Sequence, residues 1–182
     1  LKISIPSCAA DAKGLLTTAI RDDDPVFNLE SERMLSDKGP VPEGEYLVPI
    51  GKAEIVRRGT DVTLCGIGRM THVCLEAAEL LAARGTSAEV VDVLTLAPLD
   101  EATILESVAR THRLVVVDED TPTASMARDI AARVADKGFD WLDAPIKTVT
   151  APEAPVPFAA VLEALYAPQA ANVVAAVDAL FG

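Results

Sequence analysis

Aromatic residues are scarce in this chain of 182 residues, at 4%, although hydrophobic residues make up 50%. A core with so few aromatic side chains must be filled by Ala, Val, Leu and Ile, which are typical of sheets buried on both faces. The composition therefore favours an α/β fold.

Basic residues are also few, because 16 Lys and Arg face 28 Asp and Glu, which gives a formal net charge of −12. No stretch of the chain is rich in Lys and Arg. A surface of this charge repels a phosphate backbone. We therefore expect no nucleic-acid partner.

The chain has only three cysteines, Cys8, Cys65 and Cys74, and no CxxC pair. An odd number of cysteines in largely apolar surroundings is typical of reduced thiols in an intracellular protein. The first residues lack the basic start and apolar stretch of a secretion signal, and no run of 18 apolar residues follows. These features predict a cytoplasmic protein with no membrane partner.

Several catalytic motifs are missing as well. The sequence contains no GxSxG, HExxH or Walker loop. His72 and His112 have no Cys or carboxylate at the spacing of metal ligands, so we interpret both as structural. Residue spacing alone therefore indicates no complete catalytic constellation.

Strands and helices are predicted to alternate along the chain. Strands are predicted at residues 2–6 and 26–30 and in the segments DVTLCGIG, AEVVDVLTL, RLVVVDED and PIKTVTAP. Helices are predicted at residues 11–20, 158–165 and 172–181 and in the segments MTHVCLEAAELLAARG, PLDEATILESVAR and SMARDIAARVADKG. Short loops between alternating elements predict a three-layer sandwich, in which a mostly parallel sheet lies between helices.

Two of these helices carry more detailed signals. The helix in MTHVCLEAAELLAARG has apolar residues at Val73, Ala77, Leu80 and Leu81, which predict its buried face. Asp100 is the expected N-cap of the helix in PLDEATILESVAR.

The segment SDKGPVPEGEYLVPIGK is rich in proline and glycine and is typical of a linker. It separates a strand–helix–strand piece from a complete α/β domain, and we place the boundary within it, between residues 1–45 and residues 46–182. A single strand–helix–strand piece cannot bury both faces of a sheet. We therefore expect further sequence or a partner surface to cover residues 1 to about 40.

Three successive carboxylates, Asp22, Asp23 and Asp24, follow the first predicted helix. The helix macrodipole is negative at a C-terminus, so cations rather than anions are favoured there. Either the run is a solvated turn that Pro25 closes, or its oxygens hold a positive group.

The segment CGIGRM places Gly66 and Gly68 between a strand and a helix, where backbone N–H groups can hold a phosphate. Glu89 and Asp92 follow roughly 20 residues later, near the spacing of a ribose ligand, but the third glycine of the dinucleotide motif is missing. A tight strand-to-helix turn is the alternative interpretation.

Asp118, Glu119 and Asp120 follow a predicted strand in the segment VVVDEDTP. Open α/β sheets keep their ligand crevices at the carboxyl ends of strands. The same run is also expected where a strand simply emerges into water.

Seven segments together show a resemblance to a known family: LKISIPSCAADAKGLLTTAIRDDDPVFNLE, VPIGKAEIVRRGTDVTL, GRMTHVCLEAAELLAARG, VDVLTLAPLD, RLVVVDED, DWLDAPIKTVTAPEAPVPF and the final predicted helix. In this order they resemble the β subunit of the thiamine diphosphate-dependent decarboxylase component of 2-oxo acid dehydrogenase complexes. VVDEDTP and VTAPEAPVPF lean towards the acetoin branch of the family. The resemblance covers essentially the whole chain.

The resemblance implies a transketolase C-terminal-like domain at residues 46–182, preceded by the end of that family's pyrimidine-binding domain and a linker. It also implies an oxidoreductase subunit of a heterotetramer, in which an α subunit holds magnesium and the diphosphate of the cofactor. The assembled enzyme would cleave a 2-oxo acid such as pyruvate, or acetoin, through thiamine diphosphate. It would then acylate a lipoyl group on the dihydrolipoyl acyltransferase core.

The family's catalytic glutamate lies outside the segments that match, so the resemblance assigns no catalytic and no cofactor-binding residue here. It does assign a potassium site, with ligands at the backbone carbonyls of Ala19 and Asp22 and at Asp24. It also assigns Asp143, in WLDAP, to docking of the basic peripheral-subunit-binding domain of the acyltransferase.

The family's β subunits associate with each other through their C-terminal domains. The final predicted helix offers apolar residues that could serve such a contact or its own core, namely Val173, Val174, Val177, Leu180 and Phe181. A non-catalytic α/β binding or scaffold domain is the alternative to an enzyme subunit, because one fold hosts many functions.

Overall fold

The computed structural model describes residues 1–182, which form two sheets and six α-helices. The strands are β1 (Lys2–Ser4), β2 (Val26–Asn28), β3 (Glu54–Arg57), β4 (Val62–Gly66), β5 (Ala88–Asp92), β6 (Thr95–Ala97), β7 (Leu114–Val117) and β8 (Lys147–Val149). The α-helices are α1 (Ala9–Ile20), α2 (Met70–Ala82), α3 (Glu101–Thr111), α4 (Met126–Lys137), α5 (Ala160–Tyr166) and α6 (Ala170–Phe181). Short 3₁₀ turns lie at Glu32–Met34 and Phe139–Trp141.

The larger sheet has five strands in the order β3-β5-β4-β7-β8. Strand β4 pairs in parallel with β5 and β7, β7 pairs in parallel with β8, and only the edge strand β3 is antiparallel to its neighbour. Helices α2 and α6 cover one face, and α3 and α4 cover the other. The predicted three-layer sandwich with a mostly parallel sheet is confirmed.

The central strands of the larger sheet are buried over their whole length. Helices cover both faces, so these strands are rich in apolar residues on both faces rather than on one face only. Side chains cap the N-termini of α3 and α4. The Asp100 carboxylate accepts the Thr103 N–H at 3.3 Å, and the Ser125 hydroxyl accepts the Arg128 N–H at 3.4 Å. The predicted cap at Asp100 is confirmed.

One face of α2 packs against the larger sheet and against α6. Val73, Ala77 and Leu81 are buried there, because residues four apart lie on the same face of a helix. Leu80, which the apolar pattern grouped with them, is 48% exposed. It precedes Leu81 by one residue, about 100° around the helix axis, and so faces away from the core.

The C-terminal residues 160–181 are long and apolar enough, by composition alone, to cross a membrane. The chain divides them at Ala167, whose backbone is extended, into the separate helices α5 and α6. Val173, Val177 and Leu180 of α6 are buried in the same core as α2. Packing within this chain therefore accounts for the apolar face of α6.

The smaller sheet has the order β2-β1-β6, with β1 and β2 parallel and β6 antiparallel to β1. The sequence predicted one strand through AEVVDVLTL, and this prediction is wrong at Leu94, which has a left-handed backbone with φ of 54°. The Leu94 carbonyl accepts the Ile5 N–H at 2.8 Å. The turn thus carries β6 from the larger sheet to the smaller one, and the N-terminal piece gains a third strand from its own chain.

Candidate functional site

Asp143 lies on an exposed surface beside the last residues of the chain. Arg113 lies between Asp143 and Phe181. Its guanidinium is 3.8 Å from the Asp143 carboxylate and 4.4 Å from the ring centroid of Phe181. The side chain of Asp143 is 57% exposed. The fold therefore brings together the predicted docking acid and the C-terminus, and we call Arg113, Trp141, Asp143 and Phe181 the Asp143 surface.

Backbone and side-chain contacts of His112 hold this surface in place. His112 ends α3 in a left-handed conformation, accepts the Asp143 N–H at 2.9 Å, and places its Nδ1 atom 2.8 Å from the Trp141 carbonyl. These contacts agree with the structural role predicted for His112. Trp141 is 39% exposed and Phe139 is 71% exposed. The Asp143 surface therefore combines an accessible carboxylate with accessible aromatic rings.

The acidic run at the end of α1 is paired with a cation from the chain itself. The Lys2 ammonium lies 2.8 Å from both carboxylate oxygens of Asp22 and 3.3 Å from the carboxylate of Asp24. The Asp24 N–H donates to Asp22 as well, at 2.9 Å. The Lys2 ammonium, followed by this N–H, lowers the pKa of Asp22. The run is therefore not simply a solvated turn.

The predicted potassium ligands lie in the same turn. The Ala19 carbonyl accepts the Asp22 N–H at 3.3 Å and is also approached by the Arg21 N–H. Carbonyl and carboxylate oxygens are suitable ligands for hard cations. The donor types at Ala19, Asp22 and Asp24 thus fit an alkali cation, which would share the Asp24 carboxylate with Lys2.

A buried cluster that sequence reasoning missed joins the two sheets. Asp92, at the end of β5, is 1% exposed and accepts hydrogen bonds from the Ser7 hydroxyl and, at 3.1 Å, from the Thr71 hydroxyl. The Ser7 carbonyl lies 2.6 Å from Nε2 of His72. We call Ser7, Thr71, His72 and Asp92 the Ser7 junction. No local pattern indicates it, because Ser7 and Asp92 are 85 residues apart.

The Ser7 junction contains the residue types of a catalytic triad but not its arrangement. In a triad a histidine takes the proton of the serine hydroxyl. Here His72 contacts the backbone carbonyl of Ser7, and Asp92 binds the hydroxyl directly. Ser7 is itself buried. These contacts point to a structural junction rather than an activated nucleophile.

The CGIGRM turn is explained by packing. The N–H groups of residues 70–72 donate to the carbonyls of residues 67–69 at 3.0–3.1 Å, so they are already satisfied. A Cβ atom on Gly66 would lie 2.6 Å from the Thr71 backbone, and one on Gly68 would lie 2.9 Å from the Ile5 side chain. The glycines therefore permit a close strand-to-helix approach, and the nucleotide interpretation loses the helix N–H donors on which it depends.

The acidic run after β7 lines a cleft of about 430 Å³ at the carboxyl end of the larger sheet, together with Ile67. Asp118 is buried and accepts the N–H groups of Asp120 and Ala127 at 3.2 and 3.3 Å, so it fixes the loop between β7 and α4. Burial raises the pKa of Asp118 and of Glu119. The crevice interpretation of this run is therefore favoured, with Asp118 in a structural role.

A comparison with protein families matches residues 51–173 to the family described as Transketolase, C-terminal domain. Among solved structures, the one titled "Split gene transketolase, inactive beta4 tetramer" superposes with a TM-score of 0.81 at 27% sequence identity. That superposition covers 98% of this chain and 56% of the other.

Curated proteins with similar sequences carry two kinds of name. The acetoin:2,6-dichlorophenolindophenol oxidoreductase subunit beta of Bacillus subtilis is 52% identical over 100% of this chain and 53% of that protein. The subunit of the same name from Cupriavidus necator is 51% identical over 97% of this chain and 52% of that protein. The pyruvate dehydrogenase E1 component subunit beta of Rhizobium meliloti is 45% identical over 99% of this chain and 39% of that protein. The chain thus spans about half or less of the length of these relatives.

Proposed function

Because this chain belongs to the transketolase C-terminal domain family, we propose that it is part of the β subunit of a thiamine diphosphate-dependent acetoin or 2-oxo acid dehydrogenase complex. The observation that carries the proposal is the 52% identity, over the whole chain, to a protein named as an acetoin oxidoreductase β subunit. Identity to the pyruvate dehydrogenase relative is lower, at 45%. The higher identity to the acetoin oxidoreductase subunit favours acetoin over pyruvate as the substrate.

The proposed reaction needs residues outside this chain. No group of three or more His, Cys, Asp or Glu side chains is arranged to hold a metal ion, and the first N–H groups of α2 are already bonded. These residues therefore do not by themselves fit thiamine diphosphate and its magnesium. The donors would come from the remainder of the β subunit and from an α subunit, and this chain would contribute assembly and docking surfaces.

The proposed partners are an α subunit, further copies of the β subunit and the dihydrolipoyl acyltransferase core. The solved relative is titled a beta4 tetramer, which supports self-association. The face of α6 that the sequence offered for such a contact is largely used in this chain's own core, so a contact there would use Phe181, which is 48% exposed. All three cysteines are unpaired, which supports a reducing location such as the cytoplasm.

The function is tested with the full-length β subunit co-expressed with its α subunit. Supplied with thiamine diphosphate and magnesium, the purified complex is expected to reduce 2,6-dichlorophenolindophenol with acetoin, and more slowly with pyruvate. The β subunit without its partner is the control. No dye reduction with either substrate would contradict the proposal, and a light-scattering mass with only one β copy would contradict self-association.

Asp143→Ala is expected to weaken binding of the acyltransferase's peripheral-subunit-binding domain by about 1–3 kcal/mol, if docking desolvates the carboxylate. The physical reason is that a basic domain would lose a charge partner that is accessible in the free subunit. Isothermal titration calorimetry on the full-length complex measures the change.

The matched control for this prediction is Asp136→Ala, which removes an equally charged, exposed side chain from α4. It changes the net charge by the same amount, so long-range attraction is held constant. We expect its affinity to stay close to that of the unmodified protein. Equal affinities for both variants would remove Asp143 from the docking site.

We also propose that the turn after α1 binds potassium through the carbonyls of Ala19 and Asp22 and the carboxylate of Asp24. Thermal unfolding of the full-length protein is expected to occur about 1–2 °C higher in potassium than in a large organic cation, which corresponds to roughly 1 kcal/mol of stabilisation for a chain of that length. Ionic strength is kept equal. Asp24→Ala should reduce the difference, and a melting temperature that responds to neither change would contradict the site.

A further inference from the structure

We propose that the Ser7 junction is a pH-dependent latch between the two sheets, in which protonated Asp92 holds the turn between β1 and α1 closed and ionised Asp92 loosens it. The proposal depends on the contacts of buried groups and is independent of the reaction that the protein catalyses. It assigns a conformational role to a carboxyl group that has no part in the docking or cation sites.

The latch holds Ser7 from two sides. The Ser7 hydroxyl donates to Asp92, and the Ser7 carbonyl lies 2.6 Å from Nε2 of His72. Ser7 immediately precedes Cys8, the N-cap of α1, whose sulfur accepts the Asp11 N–H at 3.4 Å. Movement of Ser7 is therefore transmitted directly to the start of α1.

The same carboxylate also holds the turn by which the chain leaves the larger sheet. Asp92 is the last residue of β5, and it accepts the N–H of Leu94 at 3.4 Å. The Leu94 carbonyl in turn accepts the Ile5 N–H. One buried side chain thus connects the turn after β1 with the turn that leads to β6.

No positive side chain pairs with Asp92, whose partners are two hydroxyls and a backbone N–H. The titratable groups around it are Asp11 on α1, Cys65 on β4, and Cys74 and His72 on α2. Of these, Asp11 raises the pKa further, and His72 is directed at the Ser7 carbonyl. The negative charge of ionised Asp92 is therefore buried without a counter-charge, which is unfavourable.

Burial moves the pKa of Asp92 from 3.8 to about 7 when the junction is closed. In an opened turn the carboxyl group meets water and regains its ordinary value. Between these two values the closed form binds a proton that the open form does not, so closure weakens as the pH rises, by up to about tenfold for each pH unit. Above pH 7 both forms are ionised and the effect levels off.

Opening of the latch would change a second cleft of about 430 Å³. Ser7, Cys8 and His72 line this cleft with the residues that follow β2. The latch therefore links the protonation of one buried carboxyl group to the shape of an accessible depression at the N-terminal end of α1.

Hydrogen exchange with mass spectrometry tests the latch on the intact protein, at its native length and with its own subunits. We expect the opening constant for peptides within residues 4–14, corrected for the intrinsic pH dependence of exchange, to increase about tenfold between pH 6 and pH 8. Asp92→Asn keeps an acceptor and cannot ionise, so its opening constant should not change with pH. The matched control Asp118→Asn removes another buried carboxyl and should keep the tenfold change.

A second variant keeps the test valid if Asp92→Asn fails to fold. Ser7→Ala removes the hydroxyl donor and leaves the Asp92 carboxyl in place, so exchange of residues 4–14 should be faster at both pH values. A Ser7→Ala variant as protected as the unmodified protein would overturn the latch. It would also be overturned by an unmodified protein with no pH dependence, or by an Asp92→Asn variant that retains the tenfold change.

Discussion

Replacing Leu81 by alanine is expected to lower the free energy of unfolding by about 2–5 kcal/mol. Leu81 is 1% exposed and lies in the core that α2 shares with the larger sheet and α6. The truncation removes apolar contacts and leaves a cavity between elements that cannot collapse fully. Urea unfolding followed by circular dichroism measures the loss.

The adjacent Leu80 provides a control with the same change in composition. Its side chain is 48% exposed, so Leu80→Ala should change the free energy of unfolding by about 0.5 kcal/mol or less. The pair separates the effect of burial from the effect of losing a leucine in α2. Similar losses in the two variants would show that the orientation of α2 is wrong.

Replacing Glu89 by alanine is expected to lower the free energy of unfolding by about 2–4 kcal/mol. This loss lies between that caused by one buried polar group without a hydrogen-bond partner and that caused by breaking a buried ion pair. Glu89 is 1% exposed and accepts hydrogen bonds from Arg110 and, at 2.6 Å, from Ser107. The Ser107 hydroxyl is also 2.7 Å from the Thr63 hydroxyl. Because the Arg110 side chain is 43% exposed and can be rehydrated, the loss should stay below that of a fully buried pair.

An exposed ion pair is the control for Glu89. Glu79 pairs with Arg57 on the surface and is 74% exposed, so Glu79→Ala should change the free energy of unfolding by less than about 1 kcal/mol. Chemical unfolding of both variants at the same pH gives the comparison. Equal losses would contradict a structural network around Glu89 and return this residue to consideration as a ligand.

The layers of the larger sheet could be predicted because their signals are local. The runs VTLCG, AEVVD and LVVV are rich in apolar and β-branched residues, which is typical of strands covered on both faces. Asp100 and Ser125 cap their helices by contacts three residues along the chain. Signals of this kind depend on neighbours in sequence and can be recognised without knowledge of the fold.

Predictions that were wrong or missing involve competition between local pattern and distant partners. Leu80 fits the apolar composition of α2 but faces outward. Strand β6 continues an apolar run but pairs with β1 because the backbone turns at Leu94. Strand β3 was not predicted, because its alternating, half-exposed residues provide only a weak apolar signal.

The sequence by itself determined the α/β class, the alternation of elements and the family, since composition, hydrophobic period and the order of its segments are all read along the chain. Only the tertiary structure decided which charges and hydroxyls meet. Lys2 reaches Asp22 across 20 residues and Ser7 reaches Asp92 across 85. Such contacts depend on how two sheets are placed against each other, and the free energy of a buried carboxyl group depends on that placement rather than on its sequence neighbours.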